Sequence, residues 1–368
     1  MFPLLLAAVL TPSPQIAANP EDIFVSATLD PSQPYVVTRI PALARTRAGT
    51  LLAFAEGRRA ITDQSSNILI LRRKPARAKA WTPIQIVAAD EPNALNNPCV
   101  LTTSSGIWLM YQRYPHGLNE RTTQPGFDPE KACRSFVITS EDDGKSWSSP
   151  VEITSIVKGP GIQSVASGPG VGIELTRGPH RGRLLFPFNE GANGAYSAFS
   201  VFSDDKGKTW KRGPSVEKAP ETQPNEVQFA ELTDGSVLMN ARNQSKGRFR
   251  LSSVSRNGGE NWNPITPELT LPDPVCQGSL LRFSYKPSIL VFSNPADAAR
   301  RANGTMRISR DEGKTWSAGA QIAPGPFEYS CLCALPDGKV GILFESREFS
   351  AAGQEGYRIR YVTLEIEK

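Results

Sequence analysis

The sequence predicts an all-β chain folded as a six-bladed β-propeller. Three observations carry that prediction. An eight-residue polar turn recurs: SEDDGKSW at Ser140–Trp147, SDDKGKTW at Ser203–Trp210 and SRDEGKTW at Ser309–Trp316. Apolar strand-like stretches precede each copy, FVIT, AFSVF and TMRI. Thirty-one prolines and 30 glycines in 368 residues favour many short strands over long helices.

Each turn justifies itself chemically. Asp accepts backbone N–H groups across a tight turn, Gly supplies a backbone angle other residues resist, and Trp packs its large surface beneath. A fourth copy, SRNGGENW at Ser255–Trp262, keeps the frame with Asn257 for Asp and Asn261 for Thr. A fifth, KPARAKAW at Lys74–Trp81, keeps only the tryptophan. The tryptophans fall at 81, 147, 210, 262 and 316, spacings that suit a four-stranded blade. Five marks give five blades. SCLCALPDGKVGILFESRE and YRIRYVTLEI supply a sixth, expected to close the ring on a strand near Phe24–Leu29. Cys331 and Cys333 alternate along one strand and are read as small apolar packing residues; the five cysteines show no CxxC spacing.

Residues 1–18 are expected to be a signal peptide, and 19–368 the propeller domain. The run Phe2–Leu10 is too short to span a bilayer and is followed by small residues up to Ala18, although no Lys or Arg precedes it. Export places the chain outside the cell or in the periplasm, or in the lysosome of a eukaryote. Neither a membrane span nor a nucleic-acid partner is expected. The formal charge of +5 suits an anionic ligand.

What is missing narrows the chemistry. Two histidines, His116 and His180, sit in turn-like contexts, and no GxSxG, Walker or dinucleotide glycine motif occurs. No grouping of His and Cys implies a zinc site. Carboxylates, arginines and tyrosines remain, the toolkit of glycoside hydrolysis.

Three further segments identify a resemblance. YVVTRIPAL carries Arg39, LLAFAEGRRAITD carries Arg58 and Asp63, and NEVQFAELTDGSVLMNARNQ carries Glu226 and Arg242. With the repeated turns, these resemble the sialidase (neuraminidase) family from about Tyr35 to Glu345. The turns correspond to its Asp boxes and RIP to its N-terminal hallmark. The resemblance implies a retaining exo-α-sialidase acting on sialylated glycans without metal or cofactor. It implies an arginine triad, Arg39, Arg242 and Arg301, for the substrate carboxylate; Arg300 and Arg307 lie close to the third. Arg fits this task because its planar, permanently charged fork grips a carboxylate with two bonds. It implies Asp63 as acid/base, although TDQSSN departs from the usual acidic, glycine-rich run. Tyr329, in PFEYSCLCAL, corresponds to the nucleophile and Glu226 to its base. Glu345 corresponds to the acid that steadies the first arginine, and Arg58 to an accessory arginine. A tyrosine nucleophile is reasonable because the anomeric carbon carries a carboxylate that would repel an anionic attacker.

Glu56 is read as structural, and Glu328 as pointing to the strand face opposite Tyr329. The segment NNPCV near Asn97 is a candidate wall for the acetamido group. The long polar stretch Tyr114–Arg134 is either an active-site loop or a tolerated insertion. Asn243 and Asn303 head N-x-[ST] sequons. Four other activities share this framework: a trans-sialidase, its intramolecular version, a Kdn-preferring hydrolase, and a non-catalytic glycan-binding propeller. Linkage preference and oligomeric state stay open.

Overall fold

A computed structural model describes residues 19–366 apart from 193, 194 and 246. The segment expected to be a signal peptide lies outside the described residues. Six sheets stand around a central axis as the blades of a propeller. Blade I comprises Val37–Arg45, Leu51–Arg58, Ile68–Lys74 and Gln85–Ala88. Blade II runs Ala94–Thr102, Ile107–Tyr114, Arg134–Ser140 and Val151–Glu152, with Gly170–Val171 added in parallel on its inner edge. Blade III is built on Val165–Ser167, Leu184–Glu190, Ser197–Ser203 and Lys211–Arg212. Blade IV holds Pro224–Glu231, Val237–Asn243, Phe249–Ser255 and Thr266–Pro272. Blade V holds Ser279–Tyr285, Ser288–Pro295, Ala302–Ser309 and Ala320–Pro326.

Blade VI joins both ends of the chain. Ser330–Ala334, Lys339–Phe349 and Glu355–Glu365 form three strands, and Glu21–Val25 completes the sheet against the third. Asp22 clamps this seam with ion pairs to Arg358 (2.5 Å) and Arg360 (2.9 Å). The closing strand ends at Val25, not Leu29, because the backbone turns at Ser26, whose carbonyl accepts from the N–H groups of Leu29 and Asp30.

The apolar side chains gather between blades. Six clusters correspond to the six interfaces, and each of the five turn tryptophans sits between its own blade and the preceding one. Trp147 meets Phe54 edge-on at 5.8 Å, Trp210 meets Phe186 at 5.6 Å and Trp262 stacks on Phe229 at 4.9 Å. Trp81, whose turn lost its polar residues, still packs edge-on against Tyr361 at 5.6 Å. Burying one such ring contributes about 4–6 kcal/mol at most, from ~150–250 Å² at ~25 cal/mol/Å². That explains why the tryptophan is the last residue of the repeat to be lost. Cys331 and Cys333 are buried free thiols in the cluster between blades VI and I, as their alternation predicts.

The turns are closed from within. Asp142 Oδ1 accepts the N–H groups of Lys145 (3.0 Å) and Ser146 (2.9 Å), while the Ser140 hydroxyl accepts from Gly144 N–H (3.0 Å). Asn257 reproduces the main bond, accepting Asn261 N–H at 2.9 Å, because only the side-chain carbonyl is needed. Blade VI carries no such turn for a topological reason. Its third and fourth strands come from opposite ends of the chain, so no connection exists there to be closed.

Candidate active site

Strands alternate in direction, so the polar turns, which follow the third strands, lie at one end of the propeller. The opposite end receives the starts of the first strands and the ends of the second. Arg39 begins an inner strand and Arg58 ends its neighbour; Glu226 and Arg242 repeat that arrangement in blade IV. Tyr329 immediately precedes the inner strand of blade VI. All eight residues singled out from the sequence therefore converge on one end of the axis.

Inner-strand bulges aim these side chains. The pairing of blade I slips between Arg39 and Ala42, that of blade II between Asn96 and Cys99, and that of blade IV between Asn225 and Val227. Ile40 and Asn97 take left-handed backbone angles, φ 63° and 57°. For a β-branched residue that conformation costs on the order of 1–3 kcal/mol and persists only when its surroundings fix it. The fixing groups are buried carboxylates. Ile40 N–H donates to Glu345 Oε1 at 2.5 Å, and Asn97 N–H donates to Glu56 Oε1 at 2.8 Å. Each carboxylate also grips a guanidinium: Glu345 holds Arg39 at 2.7 Å, and Glu56 holds Arg58 at 2.7 Å.

A cavity of about 530 Å³ opens over these groups. Arg39, Arg58, Asp63, Glu226, Arg242 and Tyr329 all line it. Tyr329 Oη donates to Glu226 Oε1 and accepts from Arg242 Nη1 at 3.1 Å. Arg242 Nη1 also donates to Glu226 Oε2 at 2.7 Å. The guanidinium carbons of Arg39 and Arg301 lie 5.2 Å and 5.8 Å from the centre of the Tyr329 ring. Burial, then the charge of Glu226, pushes the Tyr329 phenol well above its ordinary value, against the pull of the three arginines. The phenol is thus held protonated, with its hydrogen already directed at a carboxylate.

Asp63 hangs from the loop after Leu51–Arg58, its side chain about two-thirds exposed toward the cavity. Arg58 Nη1 donates to Asp63 Oδ1 at 2.8 Å, and Asn96 Nδ2 donates to the Asp63 carbonyl at 2.8 Å. Withdrawal from solvent would raise the Asp63 carboxyl, but Arg58, Arg39 and Arg301 outweigh it and hold the group below the usual carboxylate range.

Of the two adjacent candidates for the third arginine, Arg301 is the one at the site. Its Nη1 donates to Glu328 at 2.8 Å and its Nη2 to the Val275 carbonyl at 2.9 Å. Arg300 has its side chain 77% exposed and pairs with Asp297 in its own turn. Arg307 is buried on Asn294, away from the cavity. Glu328 corrects the sequence reading. The strand begins at Ser330, so strict alternation does not govern Glu328, and its buried carboxylate bonds both Arg39 (3.2 Å) and Arg301 (2.8 Å).

Other lining residues carried weak sequence signals. Asn96 and Asn97 lie in the cavity wall, as do Asn119, Glu120 and Arg121 from the long polar stretch. Glu120 accepts from Tyr196 Oη at 3.1 Å, and burial raises its carboxyl above the ordinary range. The length and polarity of that stretch left it as either an active-site loop or a tolerated insertion; nothing local marked Glu120 itself. Glu56, read as structural, supports Arg58 and Asn97 from a fully buried position. Asn243, head of one sequon, is buried and accepts from Gln223 and Ser245 N–H groups.

With that geometry in place, comparison with known proteins defines the class. Residues 49–342 match the model of a BNR repeat-like domain. A sialidase from Micromonospora viridifaciens is 35% identical over 323 residues, covering 83% of this chain and 49% of that protein. An exo-alpha-sialidase from Aspergillus fumigatus is 30% identical over 352 residues, covering 87% of this chain and 81% of that protein. A solved Hadza microbial sialidase superposes with a TM-score of 0.79 at 27% identity, over 90% of this chain and 66% of that one.

The chain belongs to the sialidase family of glycoside hydrolases. It spans about half the length of the Micromonospora relative. Among the described residues, no helix is long and apolar enough to cross a membrane.

Proposed function

We propose that this chain is a retaining exo-α-sialidase that releases terminal sialic acid from glycoconjugates. The observation that carries the reading is the Tyr329 hydroxyl, suspended between Glu226 and Arg242 beneath Arg39 and Arg301. Arg39, Arg242 and Arg301 supply three permanent charges for a carboxylate on the carbon under attack. Arg242 Nε and Asn96 Oδ1 are buried without a partner among the described residues. Such atoms cost about 1–3 kcal/mol each until a ligand satisfies them.

The proton and bond inventory balances. Tyr329 passes its proton to Glu226 as its oxygen bonds the anomeric carbon. The bond to the aglycone oxygen breaks, and Asp63 protonates that oxygen. Water then attacks the same carbon, giving its proton to Asp63. The tyrosyl bond breaks, and Glu226 returns the first proton to Tyr329. Arg58 orients Asp63 but also lowers its pKa, making it harder to keep protonated. The substrate carboxylate reverses part of that effect, because it neutralises Arg39 and Arg301, two of the charges that stabilise ionised Asp63.

The test is hydrolysis of a fluorogenic sialoside, with the first-formed anomer followed by NMR. Release of free sialic acid as the α-anomer, abolished in Tyr329→Phe, is the expected result. A product lighter by one water would move the chain to the intramolecular transferases, and release of the β-anomer first would remove the tyrosyl intermediate. Export through residues 1–18 belongs to the same reading and is checked by N-terminal sequencing of secreted protein.

A further inference from the structure

A second cavity, about 690 Å³, lies beside the first at blades V and VI. Arg301 and Glu328 line it, so their ion pair stands between it and Tyr329. Tyr357 also lines it, with its ring 4.5 Å from the guanidinium carbon of Arg39. Two further guanidiniums face this cavity. Arg300 has its side chain 77% exposed. Arg347 is 46% exposed and sits 3.6 Å from both Glu328 and Glu355, too long for a strong charge-assisted bond. Arg300 pairs with Asp297 of its own turn at 3.2 Å and Arg347 with two carboxylates at 3.6 Å, yet both side chains stay exposed and keep N–H donors facing the cavity.

The chemistry of the proposed reaction says what reaches this place. The anomeric carbon of a sialoside bears both the carboxylate and the leaving oxygen. An aglycone must therefore depart beside the arginines that hold the carboxylate, and Arg301, whose guanidinium carbon lies 5.8 Å from the centre of the Tyr329 ring, lines the second cavity. We propose that the second cavity is an aglycone subsite selective for a negatively charged aglycone, with Arg300 and Arg347 as its specificity determinants. A sialic acid linked to another sialic acid supplies such a charge as a carboxylate; a sulfated sugar supplies it as a sulfate. This inference rests on the sialidase reading above.

The experiment compares kcat/KM at low salt for three sialosides: one with a neutral lactose aglycone, one with a second α2,8-linked sialic acid, and one with a sulfated galactose. The parent protein is expected to favour the disialyl substrate by about tenfold, the scale of two partly exposed charge contacts. Arg300→Ala and Arg347→Gln are each expected to remove part of that preference, leaving the neutral substrate within about twofold. Rising salt should erode it in the parent protein and not in the double variant. An equal gain from the sulfated substrate supports a pocket that reads charge alone, and a gain confined to the disialyl substrate supports one that reads the second sugar's carboxylate. Parity among the substrates in the parent protein, or a preference untouched in both variants, overturns the proposal. Arg300 touches nothing in the sugar site, so it keeps the test readable if Arg347→Gln fails to fold. Failure to release sialic acid from any substrate would instead strike the functional reading.

Discussion

The two ends of this propeller use carboxylates in opposite ways. At one end, Asp142 and Asp205 sit at the surface, saturated by hydroxyls and N–H groups no more than four residues away. Those bonds lower each carboxyl to about 2. At the other end, Glu345 is buried and takes its donors from Arg39 and Ile40, some 305 residues distant in sequence. Glu226 meets Tyr329 across 103 residues. Locally saturated carboxylates close turns and are chemically quiet. Carboxylates completed only by remote partners hold strained backbone, crowded arginines and a polarised phenol in place.

The largest expected effect separates the ends by activity. Tyr329→Phe should lower kcat on the order of 10³-fold or more, and Asp63→Ala about 10²–10⁴-fold on a poor leaving group. Asp142→Asn should leave kcat/KM within about twofold. Steady-state kinetics on a sialoside with an unactivated aglycone reads all three, and a large loss in Asp142→Asn would break the comparison.

Stability gives the next contrast. Glu345→Ala leaves the buried Arg39 with only its longer bond to Glu328 and frees the Ile40 bulge, so a loss of about 3–5 kcal/mol is expected. Urea unfolding measures it; a loss no greater than that of Asp142→Ala would show that the remote partners bind less firmly than their geometry implies.

A third test uses pH. Asp142 and Asp205 titrate near 2 in the folded chain against ~3.9 unfolded. Their folded values are depressed, so their contribution is present above about pH 4 and fades as pH falls toward about 2. Asn257 carries no such dependence. Replacing Asp142, Asp205 and Asp311 by Asn should flatten the acid limb of a melting-temperature profile. An unchanged limb would assign acid sensitivity to the other end.

The smallest effect refines the site. Asp63 is depressed in the free protein by Arg58, Arg39 and Arg301, and the substrate carboxylate offsets the last two. Its carboxyl therefore titrates higher in the complex, so the alkaline limb of kcat should lie at higher pH than that of kcat/KM. Coincident limbs would mean that the triad does not take the substrate carboxylate.

The sequence by itself determined the fold, because the information that specifies a blade is local. Eight contiguous residues contain the acceptor, the glycine and the tryptophan that each turn requires, so repetition was visible without any contact being known. It also marked Arg39, Asp63, Glu226, Arg242, Tyr329 and Glu345, since each stands inside a short distinctive segment. Tertiary structure alone turned Glu328 toward two arginines, brought Glu120 to the cavity and paired Glu56 with the Asn97 bulge. None of these is a property of a segment. Each depends on which blades become neighbours when Glu21–Val25 closes the ring, and on bulges that rotate a side chain off the alternating pattern a strand would otherwise impose.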